Sequence, residues 1–157
     1  MKKITNPWTV LDDYNCFACS PNNPAGIQME FYEDGDEVVS TWQTTKNYEG
    51  FTNVLHGGIQ ATLLDEMGAW IVARKLQTIG VTSRLNIRYL KAVDIRQTHI
   101  TIRAKITEVK RNLAFIEAKI YNVENEVCAS AEMCYFCTPK EQAAHEFHFT
   151  GCKTEEE

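Results

Sequence analysis

The stretch Leu55-His56-Gly57-Gly58-Ile59-Gln60-Ala61-Thr62-Leu63-Leu64-Asp65-Glu66 sets a histidine and two glycines before an apolar run, then puts two acids inside that run. The spacing predicts one helix over residues 57–77, with Gly80 as its stop. At about 100° per residue, Ile59, Leu63, Met67, Trp70 and Ile71 fall on one side, and Ala61, Ala69, Val72 and Leu76 take up much of the other. A helix apolar nearly all round is buried nearly all round. A curved sheet wrapped around it would do this, with a second subunit covering what the sheet leaves open.

The flanks supply such a sheet. Residues 27–32 and 38–44 read as two strands joined by a turn centred on Gly35. After the helix the period changes to two. Residues 81–90, 99–109, 113–121 and 127–138 follow one another, separated by turns such as Lys110-Arg111-Asn112. The expected class is α+β, an antiparallel sheet of about six strands packed on one long helix. Residues 1–24 read as an arm or loop, 25–139 as the folded domain, and 140–157 as a polar, disordered tail.

The chain has 157 residues, 44% of them hydrophobic, which is enough for one domain with a core. A net charge of −5 argues against a nucleic-acid binder. No apolar run is long enough to span a bilayer, and the N-terminal lysines precede no apolar segment of the secretory kind. A cytoplasmic protein with six reduced cysteines is expected.

Asp65 falls in the arc of Ala61, Ala69, Val72 and Leu76, where an ionised carboxylate is costly unless hydrogen-bonded or set at a cavity. Either it serves a site or it reaches an edge and caps a loop. Glu66, toward Thr62, Trp70 and Ala73, reads as an exposed or salt-bridged surface acid. Amides in the first turn of a helix lack partners, glycine allows close approach, and the helix dipole adds positive potential. Gly57 and Gly58 therefore suit a developing oxyanion, or else mark a tight turn. His56 and Asp65 are nine residues apart. That is a rotation of about 900° and a rise of about 13.5 Å, so the two point in opposite directions. If both serve one site they come from different chains, as in a two-fold dimer with antiparallel helices.

His56-Gly57-Gly58 with Asp65 nine residues after the histidine resembles the hotdog-fold acyl-CoA thioesterases, in particular the phenylacetic-acid-pathway branch. The resemblance extends over residues 16–138, through YEGFTNVLHGG, VTSRLNIRYLKAV and the closing hairpins. It implies a six-stranded hotdog sheet around the helix and a homodimer, often a dimer of dimers. It also implies hydrolysis of an acyl-CoA thioester with no cofactor. In that scheme the Gly57 amide polarises the carbonyl and His56 positions it. Asp65 of the partner chain attacks or activates water, and Thr82 hydrogen-bonds that carboxylate or the water. Lys110, Arg111 and Asn112 occupy the turn where relatives contact the nucleotide, unless they form an ordinary solvated turn. Gly50 stands where some relatives carry a water-holding asparagine, a role that Asn53 or Asn47 would have to take over.

Cys16/Cys19 and Cys134/Cys137 are two CxxC pairs. Four thiolates can hold zinc, but the odd offset along a strand puts Cys134 and Cys137 on opposite faces, so no shared metal is expected. Outside the enzymes, the same fold could serve as a non-catalytic module that binds acyl thioesters or another apolar ligand. Such a module has no need of an acid beside a free amide.

Overall fold

The computed structural model describes residues 1–157. Strands β1 (Lys2–Lys3), β2 (Tyr32–Asp34) and β3 (Glu37–Trp42) precede helix α1 (Gly57–Leu76). Strands β4 (Gly80–Tyr89), β5 (Ile100–Lys110), β6 (Leu113–Tyr121) and β7 (Val127–Cys137) follow it, and a short helix α2 (Lys140–Phe147) comes last. All seven strands form one antiparallel sheet in the order β1-β2-β3-β5-β6-β7-β4. This is the expected hotdog arrangement of a sheet curved around one long helix.

Inward-facing residues of alternate register, such as Ile100, Ile102 and Ala104 on β5 and Ala114, Ile116, Ala118 and Ile120 on β6, pack against Leu63, Leu64, Met67, Ile71 and Val72 of α1. Each large side chain so buried contributes about 1.5–3 kcal/mol. The sheet does not enclose the whole helix. Ala61, Thr62, Asp65 and Ala69 line a partly exposed strip. Beside them β4 is an edge strand ten residues long, paired only with β7 and solvent-exposed over most of its length.

Two local expectations change. Residues 27–31 do alternate, with Ile27, Met29 and Phe31 buried, but they form no strand. Gln28 sits at φ 53°, and Ile27 and Met29 donate to Phe17 O and Ala18 O of the N-terminal segment. The helix stops at Gln77 in a left-handed conformation, with no need of a glycine. The Gln77 amide holds that turn by bonding Arg74 O and the backbone of Cys152. Gly80 instead opens β4.

The chain ends, read as an arm and a disordered tail, are packed together. Thr5 donates to Lys153 O, and the Trp8 indole donates to Phe147 O. Phe149 and Cys152 are buried. The apolar residues Phe149 and Cys152, few among polar neighbours, are what dock this segment. No helix is long and apolar enough to cross a membrane.

Candidate active site

His56 is the N-cap of α1. Its Nδ1 accepts the Gly58 amide at 2.9 Å, which leaves the proton of the neutral ring on Nε2. Of the two glycine amides expected to face an oxyanion, Gly58 is thus occupied. Only the Gly57 N–H makes no hydrogen bond within the chain. The Gly57 carbonyl accepts from Tyr89 at 2.7 Å.

A cavity of about 610 Å³ opens at this helix end, lined among others by Phe51, Leu55, His56, Gly57, Tyr89 and Leu90. Gly50 also lines it. A Cβ there would lie 3.2 Å from the His56 Cα, so the loop runs close against the histidine.

Asp65 is held at a separate place. Thr82 Oγ1 donates to Asp65 Oδ1 at 2.7 Å, and Tyr135 Oη, 2.7 Å from the same oxygen and 2.5 Å from the Asp65 carbonyl, shares its one proton between them, while Oδ2 accepts no hydrogen bond. The two donors face each other across the β4–β7 ladder, where Thr82 is the register partner of Tyr135. A bulge after Thr82 breaks the ladder at Ser83 and bends the strand there. Tyr135 is fully buried. Burial, and then the charge of Asp65, raise its phenol above the usual range, so it stays protonated and donates. Gly68 makes room for it, because a Cβ at that position would stand 2.4 Å from the phenol carbon and oxygen.

Neither Tyr135 nor Gly68 was singled out in the sequence. Tyr135 reads there as one more residue of an alternating strand. The available signal was the helical offset of three that sets Gly68 beside Asp65.

Asp65, Thr82 and Tyr135 therefore meet, and His56 and Gly57 meet at the cavity, but within one chain the two groups do not share a cavity. Asn53 adopts a left-handed conformation with its amide on Glu49 and does not line the cavity. Lys110, Arg111 and Asn112 form the exposed β5–β6 turn, and Lys110 pairs with Glu108 at 3.4 Å. Trp70 and Met67 are core residues, and Trp70 stacks on Phe31 with ring centroids 4.3 Å apart.

Glu66 is not the surface acid expected. It makes no ion pair and accepts from the Trp70 indole at 2.9 Å, and burial pushes its carboxyl up to about 7.

The thioesterase superfamily matches residues 52–129, a span that contains His56, Gly57, Asp65 and Thr82. This chain is similar to the BH2602 protein from Bacillus halodurans, solved with CoA. The two are 31% identical over 69% of this chain and 71% of that one, with a TM-score of 0.60. It is also similar to a hypothetical thioesterase protein from Streptococcus pneumoniae, solved with coenzyme A. There the identity is 26% over 70% of this chain and 88% of that one, with a TM-score of 0.64. Variants of the S. pneumoniae protein, one with an aspartate and one with a threonine replaced by alanine, match with TM-scores of 0.65 and 0.63. A third similar structure, the thioesterase superfamily protein RHA08564, has a TM-score of 0.71 at 23% identity. The match covers 77% of this chain and spans 62% of that protein's length. None of the curated proteins matches. The chain belongs to the thioesterase superfamily.

Proposed function

We propose that this protein hydrolyses acyl thioesters of coenzyme A, in sites that each draw on two chains. The observation that carries the reading is the Asp65 carboxylate, fixed by two hydroxyls on Oδ1 with Oδ2 left free, in a chain whose helix start offers the unpartnered Gly57 amide beside a cavity. The exposed length of β4 supports a homodimer joined edge to edge, able to pair again into a dimer of dimers. There the Asp65 of one protomer would stand beside the Gly57 of its partner.

The thioester carbonyl oxygen would accept the Gly57 N–H, which stabilises the charge that develops there. His56 fixes that helix start through Gly58. Asp65 Oδ2 would either take a proton from water as it attacks the carbonyl carbon, or attack the carbon itself. The carbon–sulfur bond then breaks, and the coenzyme A thiolate leaves and is protonated; where Asp65 itself attacked, water then hydrolyses the acyl–Asp65 anhydride to free the acid and restore the carboxylate. Thr82 and Tyr135 keep the carboxylate oriented. Phe51, Leu55 and Leu90 would line the acyl group, and Lys110, Arg111 and Asn112 of the exposed turn would meet the nucleotide. The coenzyme A in the B. halodurans and S. pneumoniae structures favours this substrate class.

The test is free-thiol release from short, long and aromatic acyl-CoAs, for the parent protein and Asp65→Asn. Turnover that collapses in an intact Asp65→Asn dimer supports the reading. Acyl-CoA binding without turnover would replace it with a non-catalytic module. Mixing His56→Ala with Asp65→Asn tests the shared site. Each mixed dimer regains one intact site, so activity should recover to about a quarter of the parent value. No recovery would place each site within one chain.

A further inference from the structure

We propose that Cys16, Cys19 and Glu66 form a site for one thiophilic divalent cation, Zn(II) being the natural occupant, which ties the N-terminal segment to α1. The ligand atoms of these three side chains lie within 4.8 Å of one another. The Sγ atoms of Cys16 and Cys19 are 3.1 Å apart, and Cys16 Sγ is 3.8 Å from Glu66 Oε1. Tetrahedral zinc with Zn–S bonds of about 2.3 Å and a Zn–O bond of about 2.0 Å sets sulfurs about 3.8 Å apart and sulfur about 3.5 Å from oxygen. The Cys16–Cys19 and Cys16–Glu66 separations are each within about 1 Å of these values, and the third lies inside 4.8 Å. The cysteines are presented on a turn, closed by the Ser20 amide on Cys16 O, which leaves both sulfurs on the same side.

The surroundings are open to a cation. The three ligands line a cavity of about 240 Å³ whose other walls are mostly apolar, among them Trp8, Ala69, Trp70 and Phe147, and no Lys, Arg or His lines it. Glu66 takes part in none of the ion pairs of the chain. Its hydrogen-bond donors are the Trp70 indole and the Cys16 thiol. No Lys, Arg or His of the fold competes with a cation for this carboxyl. Two thiolates and a carboxylate are a donor set for a soft or borderline dication, and binding releases the thiol protons. The cavity gives a water access to the fourth position, and Tyr14 Oη, 2.8 Å from Cys19 Sγ, can donate to that thiolate.

The second CxxC pair lacks every one of these features. Cys134 and Cys137 sit on β7, and no acid or histidine joins them in a metal-holding group. The site is distinct from Asp65 and stands whether or not the chain hydrolyses thioesters.

The untagged, reduced, chelator-treated protein is titrated with Co(II), and then with Zn(II). One Co(II) per chain should bind with a thiolate-to-metal charge-transfer absorption in the near ultraviolet, and Zn(II) should displace it. Cys16→Ser and Cys19→Ser should abolish the absorption. Glu66→Gln should weaken binding at least tenfold, and Cys134→Ser should leave it intact. Zn(II) should also slow alkylation of Cys16 in the unmutated protein, a readout that does not depend on a variant folding. A folded parent protein without the absorption would overturn the proposal. So would absorption that survives Cys16→Ser or vanishes in Cys134→Ser, or a Cys16 alkylation rate indifferent to Zn(II).

Discussion

Asp65 and Glu66 are consecutive on one helix, about 100° apart, and that single step separates two environments. Asp65 faces the open strip beside the β4 edge. Two hydroxyls hold one of its oxygens and the other is free. Glu66 faces inward to an apolar cavity, with an indole and a thiol as its donors. The two acids differ by one methylene, so the donors around them decide their chemistry. A carboxylate fixed by hydroxyls at an open face is an oriented, reactive acceptor. A carboxyl among sulfurs in an apolar cavity is raised by burial and has the neighbours of the metal ligand proposed above.

The sharpest way to break this contrast is to neutralise each acid in turn. Asp65→Asn retains an oxygen for Thr82 and Tyr135, so the melting temperature should change little. Thiol release should fall by about 10²–10⁴, or about 3–5 kcal/mol of barrier. Glu66→Gln should cost less than tenfold in the same assay. Equal losses would mean that the two acids are not functionally distinct.

Gly68→Ala attacks the support of Asp65 from behind. Alanine regains about 1 kcal/mol of helix propensity. Its Cβ, however, would stand 2.4 Å from a phenol that is fully buried and has nowhere to move. The overpacking should leave a net destabilisation of about 2 kcal/mol in urea unfolding, with reduced turnover because the phenol shifts away from Asp65. A more stable Gly68→Ala would show that Tyr135 does not occupy that place. Tyr135→Phe removes only the hydroxyl. Since the partly exposed carboxylate can take water instead, it should cost about 1.5 kcal/mol in unfolding and lower turnover by about tenfold.

Much of the open side of this contrast was legible in the sequence. The all-round apolar helix required a wrapping sheet, and the half-turn offset between His56 and Asp65 kept them out of a common cavity within one chain. The closed side was not legible. Glu66 read as a surface acid although Trp70 stands one turn along the same helix, because its other partner, Cys16, lies fifty residues away in a segment taken for part of an arm. Tyr135 was hidden for a similar reason. Strand alternation reports which face a residue takes, not which polar group on the helix its hydroxyl will meet. Gln28 and Gln77 show the same limit at the backbone, since both take left-handed conformations that the sequence reading assigned to neither. The Gln77 amide stabilises its turn through contacts with Cys152, far away in the chain.

The smallest effect belongs to Thr82. Valine is nearly isosteric and keeps the β-branched shape that suits a strand, so Thr82→Val removes little but the hydroxyl at an exposed edge. Tyr135 still holds Oδ1 and water can fill the vacated place. Unfolding should shift by less than about 1 kcal/mol and turnover by a few-fold. Combining Thr82→Val with Tyr135→Phe should cost more than the sum of the two, because the hydroxyls share one oxygen and only the double variant leaves the carboxylate free to turn. Strict additivity would mean that each hydroxyl acts alone. A Thr82→Val loss as large as that of Asp65→Asn would take Thr82 out of the supporting pair and place its hydroxyl on the attacking water itself. The open face would then carry two reacting groups instead of one carboxylate and its props.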